Sequence, residues 1–187
     1  MSGSIVTPGA QKEELEGFHL RLPIGFQAPA QWSGRQCILV PAAPDLVALD
    51  YAAVMASREQ LQGLFGAGDA WPPADLTQAD DGLDLAWHER EFVQGQSFAY
   101  SLLSNDRQRC LGCLYLYPTA SPAHDAEAYL WAAATEPEPV RAAVMQEVMQ
   151  WLENDWPFTA LAWPGRMIAF SDWPHANYYA VRRNADC

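Results

Sequence analysis

The chain has 187 residues, 50% hydrophobic and 18% charged, a balance that suits one domain with a sizeable core and excludes wholesale disorder. Against 11 basic residues stand 23 acidic ones, a net charge of −12; this sign opposes nucleic acid and anionic membranes and is compatible with cationic amines. No apolar run is long enough to span a bilayer, and residues 1–10 hold neither a basic nor an apolar signal region, so the expected location is cytoplasmic.

Residues 1–14 read as a disordered lead. Phe18, Leu20, Leu22, Ile24 and Phe26 alternate as an edge strand or an arm laid over the core, and Pro23 rules out a central strand. Residues 28–34 read as a loop and 36–40 as a short strand. A helix opens at Pro44-Asp45, with Leu46, Leu49, Ala53 and Val54 on one face. Ser57 and Gln60 have the spacing of a capping box for a second helical piece, ending near Gly63–Gly68. Thr77 caps the next helix with Asp80 three residues on; Leu83, Ala86, Trp87 and Arg90 line one side, and Gly95 closes it.

A three-strand meander follows, at 97–104, 109–117 and 126–133, with turn chemistry at Asn105-Asp106-Arg107-Gln108. Then come a long helix over 139–154, with Val140, Val144, Val148, Trp151 and Leu152 as its buried stripe, and a last strand at 159–163. Residues 167–187 are rich in aromatics and show no clear element. The fold class is α/β (α+β): a mixed, mostly antiparallel sheet with helices on both faces and one parallel crossover into the last strand. The expected division is an arm at 1–35, a domain at 36–166 and a tail at 167–187.

Cys110 and Cys113 form a C-x-x-C pair within a strand, where residues three apart point to opposite faces. A redox pair would open a helix, and a zinc site would need a second ligand pair at suitable spacing. Buried thiols and no metal are the expectation. His88 and His124 read as surface histidines.

The element order, carried by the meander, the helix at 139–154 and the strand at 159–163, resembles the GNAT superfamily of acetyl-CoA-dependent N-acetyltransferases. Leu83-Asp84-Leu85-Ala86-Trp87-His88, Phe98-Ala99-Tyr100 and Asp155-Trp156-Pro157-Phe158 are similar to a divergent subgroup of it. The resemblance covers residues 36–166. It implies that a pantetheine arm inserts where the third meander strand splays from the last strand. The diphosphate would then sit on the following helix start, cradled by a glycine-rich loop. It places acetyl-CoA along Leu130, Trp131, Ala132, Val140, Arg141 and Ala142.

The turn at 134–143 departs from that pattern. No residue from Cys113 to Pro164 is glycine, Pro137 and Pro139 remove N–H donors, and Glu136 and Glu138 occupy the anion's place. Glu138 reads as an N-cap and Pro139 as the first helical residue. Arg141 is the local cation, able to meet a phosphate or to pair with Glu138.

Glu127, Tyr129 and Trp131 project to one face of the third meander strand. Glu127 is the candidate base by position, and Tyr129 the candidate acid for a leaving thiolate or a packing residue. Two functions follow from the resemblance. One is an N-acetyltransferase acting on a small amine or a protein N-terminus. The other is an inactive binding or assembly module that has lost acetyl-CoA, with a homodimer through the aromatic tail as one form of assembly.

Overall fold

The computed structural model describes residues 15–185; the lead at 1–14 and Cys187 lie outside them. Six strands form one sheet in sequence order: β1 (Trp32–Ser33), β2 (Ile38–Pro41), β3 (Phe98–Leu103), β4 (Cys110–Tyr117), β5 (Ala126–Ala132) and β6 (Leu161–Ala162). Every neighbouring pair is antiparallel except β5 with β6, which is parallel across the crossover helix. The helices are α1 (Val47–Ala56), α2 (Arg58–Leu61), α3 (Gln78–Gln94), α4 (Glu138–Asp155) and α5 (Tyr178–Ala185). Among the described residues no helix is long and apolar enough to cross a membrane.

Alternation along the strands divides the core in two. Phe98, Tyr100, Leu102, Leu114, Leu116, Ala128 and Leu130 face α4, whose Val144, Val148, Trp151 and Leu152 are buried as the stripe requires. Leu20, Leu22 and Phe26 cover the same side. Their segment is an arm rather than a strand: one bridge, His19 to Thr119, ties it to the sheet. The other side holds Tyr115, Tyr117, Tyr129 and Trp131 under α1, α3 and α5.

Three expectations are corrected on this second side. The face that α3 buries is Asp81, Leu85, Trp87, His88 and Glu91, while Leu83 is 72% exposed. A buried stripe half made of polar residues gives no hydrophobic periodicity to read. His88 is accordingly inside, stacked near Tyr115 and Tyr179. The tail, too, is structured. Tyr178 and Tyr179 of α5 are buried, and their hydroxyls donate to Glu91 Oε2 and Asp84 Oδ1, each at 2.9 Å. Phe65, from the glycine-bounded loop after α2, stands at the centre with ring centroids 4.9 Å from Tyr179 and 5.3 Å from Tyr129.

The C-x-x-C pair is the third. The β3–β4 register slips between Leu102, opposite Gly112, and Leu103, opposite Cys110. This bulge inserts one residue, so Cys110 and Cys113 point to the same face. Gly112 has φ of 144°, and a Cβ there would lie 2.0 Å from the carbonyl oxygen of Trp131. Only glycine lets β5 approach the bulge this closely.

Gly112→Ala is therefore expected to lower stability by about 3–5 kcal/mol in urea unfolding, from overpacking and backbone strain together. Gly82→Ala, within α3 and with its nearest neighbouring atom, Val47 Cγ2 of α1, 3.6 Å away, should change it by less than about 1 kcal/mol.

Candidate functional site

β5 and β6 pair only at Ala126–Leu161 and Glu127–Ala162. The start of β6 is pinned by Asp125, whose Oδ2 accepts from Thr159 N, Thr159 Oγ1 and Ala160 N at 2.8–2.9 Å. Beyond Glu127 the strands diverge and leave a cleft with two cavities of about 210 Å³ each. Leu64, Leu130, Met145 and the side chains of Gln60, Arg141 and Arg166 line it. This is the splay the sequence order leads one to look for.

The open edge of β5 is not free. Arg166 Nη2 donates to the Leu130 carbonyl at 2.7 Å, and Gln60 Nε2 donates to the Ala132 carbonyl at 2.6 Å. Gln60 in turn accepts from Arg141 Nη1 at 3.1 Å. The Ser57 side chain makes no helix-capping bond; its Oγ accepts from Ala134 N at 2.9 Å instead. Trp131 points away from the cleft, its Nε1 donating to the Tyr115 hydroxyl at 3.3 Å.

The helix start is similarly occupied. The N-cap of α4 is Pro137, one residue before the expected Glu138, and no side chain caps it. Glu136 N donates to Ala133 O at 3.0 Å, while Val140 N and Arg141 N both donate to Pro137 O at 2.9 and 3.0 Å. Glu136 pairs with Arg109, and Glu138 with Arg141. Val140 is half-buried and Ala142 exposed on the first turns.

Glu127 and Tyr129 lie together on the other side of β5, inside the aromatic core. Glu127 is 0% exposed. Tyr129 donates to its Oε2 at 2.6 Å and Thr119 to its Oε1 at 3.0 Å. Burial pushes the Glu127 carboxyl up to about 7, against the lowering effect of these two hydrogen bonds. Burial also raises the Tyr129 hydroxyl, helped by the neighbouring carboxylate. His124 lies elsewhere, half-buried with Nδ1 at 2.8 Å from Ser121 Oγ. Glu127, Tyr129 and Trp131 thus lie on the side of the strand opposite Leu130, and Tyr129 also borders one of the two cleft cavities.

A further cavity, of about 510 Å³, opens between α3 and α5. Its walls are Trp71, Leu76, Trp87 and Tyr179, and Asp81 and Asp84 stand at its lining. Asp81 is 3% exposed and its Oδ2 has no hydrogen-bond partner among the described residues. Arg182 and Arg183 also border it, but their charges are taken by Glu91 and Asp69 at 3.0 and 2.6 Å. The sequence carries no motif for this pocket; Asp81 belongs to the α3 stripe that periodicity misses, and Asp84 stands beside it.

Glu127 has a raised folded-state pKa, so its contribution to stability is complete below the ordinary carboxylate range and is lost as pH rises through about 7. Glu127→Gln keeps acceptor and donor for Tyr129 and Thr119 and removes the titration. The wild type should lose on the order of 3 kcal/mol from this group between pH 4.5 and 8, and the variant should not. Urea unfolding across that range measures the difference.

No protein-family model and no curated protein matches the sequence. Solved structures do match by shape. The ribosomal-protein-S5-alanine acetyltransferase of Vibrio fischeri superposes with a TM-score of 0.50 at 9% identity, over 66% of this chain and 67% of that one. A protein assigned to the GnaT family of acetyltransferases, from Bordetella pertussis, gives 0.49 at 16% identity over 83% and 87%. A GCN5-related N-acetyltransferase from Brucella melitensis gives 0.45 at 14% over 71% and 59%. The first of these likenesses agrees with the mixed six-stranded sheet and its helices, and it shows that the chain has the fold of the GNAT acetyltransferases.

Proposed function

We propose that this chain is a GNAT-fold binding module that does not load acetyl-CoA. One observation carries the reading: along the cleft, the edge carbonyls of β5 and the cations near the start of α4 already bond to the chain itself. A pantetheine arm would need the backbone edge of β5, where Arg166 and Gln60 hold the Leu130 and Ala132 carbonyls. A diphosphate would need N–H donors at the start of α4, where Glu136, Val140 and Arg141 give theirs to Ala133 and Pro137. The nearby guanidiniums of Arg109 and Arg141 are paired with carboxylates. The residues present do not fit the donor.

The cavity between α3 and α5 supports a ligand of a different class. Trp71, Trp87 and Tyr179 offer aromatic walls, Asp84 offers a carboxylate, and Asp81 offers a carboxyl group that burial and the neighbouring Asp50 and Asp84 charges push up to about 8. This chemistry suits an organic cation with an apolar body, in keeping with the net charge of −12.

A second reading, acetyl transfer to a small amine or a protein N-terminus, is favoured by the splay itself and by the two cavities of about 210 Å³ that remain in it. It requires Gln60 and Arg166 to leave β5, and it requires Glu127 and Tyr129 to be uncovered.

Thermal unfolding with 1 mM acetyl-CoA separates the two. A donor bound at about 10 μM would add about 2.7 kcal/mol, a rise in Tm of roughly 5–10 °C for a chain of this size. The proposal expects a change below about 1 °C. A large rise that Arg166→Ala alters would overturn the proposal and favour the second reading.

A further inference from the structure

The buried polar residues left unused by either reading gather where α1 crosses β4. Asp50 of α1 is 5% exposed, and its Oδ1 meets Cys113 Sγ at 3.3 Å and Cys110 Sγ at 3.9 Å. A thiol is a weak donor, and among the described residues no N–H or hydroxyl group bonds to this carboxylate. A carboxylate removed from water with such partners is costly to bury. His88 acts on it only at a distance, because its Nε2 faces Asp84 at 3.5 Å. Burial, together with the nearby Asp84 charge, pushes the Asp50 carboxyl up to about 6, although the thiol contacts and His88 pull it down.

We propose that Asp50, Cys110 and Cys113 hold a zinc ion. One carboxylate oxygen and the two sulfurs all lie within 4.8 Å of one another, and all three residues are buried. A tetrahedral zinc with Zn–S of about 2.3 Å and Zn–O of about 2.0 Å spans ligand-to-ligand edges of roughly 3.5–3.8 Å. The two sulfur–oxygen edges here, 3.3 and 3.9 Å, bracket that range, and binding takes the Cys110 thiol from the Gly112 carbonyl, 3.4 Å away. Two sulfurs select a borderline-soft ion over magnesium or calcium. Both thiols lose their protons to solvent as the ion binds, and a water completes the fourth position.

The bulge gives the site its reason. On a regular strand Cys110 and Cys113 would face opposite sides, and the register slip at Gly112 turns both toward Asp50. The three ligands then join α1 to the strand that adjoins β5. Full burial means that the ion enters during folding and contributes to stability.

The test is metal analysis of the full chain, followed by refolding with cobalt(II) after chelation under denaturing conditions. The proposal expects about one zinc per chain as purified or after refolding with zinc. It also expects a cobalt form with thiolate-to-cobalt absorption in the near ultraviolet and the intense visible bands of tetrahedral geometry. Cys113→Ser should weaken the thiolate band, and Asp50→Asn should lower the affinity for zinc by 10-fold or more. Should either variant fail to fold, the wild-type cobalt spectrum decides alone. Cobalt absorption typical of oxygen ligands only, or no metal retained after refolding with either ion, would overturn the assignment.

Discussion

A strand whose neighbour leaves after two residue pairs must find other partners for its backbone, and β5 organises this molecule around that requirement. Asp125 fixes where β6 begins, and the divergence beyond Glu127 follows. The freed carbonyls of Leu130 and Ala132 are then met by Arg166, from the loop after β6, and by Gln60, from α2. Ser57 and Gln60 together brace the exit of β5 into the turn before α4, since one holds Ala134 N and the other Ala132 O. The cleft is thus a place where the fold would admit a ligand and where this sequence supplies its own side chains.

The opposite side of β5 obeys a different constraint. Tyr129 and Trp131 enter an aromatic core completed by Phe65 and by α5, and Glu127 is sealed beneath it. Buried carboxyls recur on this side, Glu127 under Tyr129 and Thr119 and Glu91 under Tyr178 and Arg182, with the half-buried Asp84 under Tyr179. Each is satisfied by hydroxyl or guanidinium donors, as buried acids must be. Two stand apart: Asp81, whose Oδ2 has no partner among the described residues, and Asp50, whose partners are sulfurs. The tail that the sequence leaves without structure supplies three of these donors, so it belongs to the core.

The legible parts of the sequence were those in which hydrophobic periodicity and local turn chemistry agree. The meander, the α4 stripe, the Thr77–Asp80 capping box and the Gly95 cap all appear where periodicity and spacing put them. The unreadable parts depend on contacts far apart in sequence. Gln60 and Arg166 meet β5 across 72 and 36 residues, and no local pattern announces such a bond. The stripe Asp81, His88 and Glu91 is buried yet polar, so it reads as surface. The bulge at Gly112 inverts the facing of Cys110, a shift of one residue that alternation alone cannot reveal. The glycine-free turn is plain in the sequence, and the structure supplies part of its meaning: two of its residues are prolines without an N–H, and the N–H groups of Ala134, Glu136 and Val140 already have acceptors.

The central claim is that the edge of β5 is closed by the chain's own side chains, and amide hydrogen exchange along that strand reads it directly. With millimolar acetyl-CoA present, the amides of Ala128 to Ala132 and of the turn into α4 should exchange as they do without it. Slowed exchange confined to those amides would show the donor bound along the strand and would contradict the account.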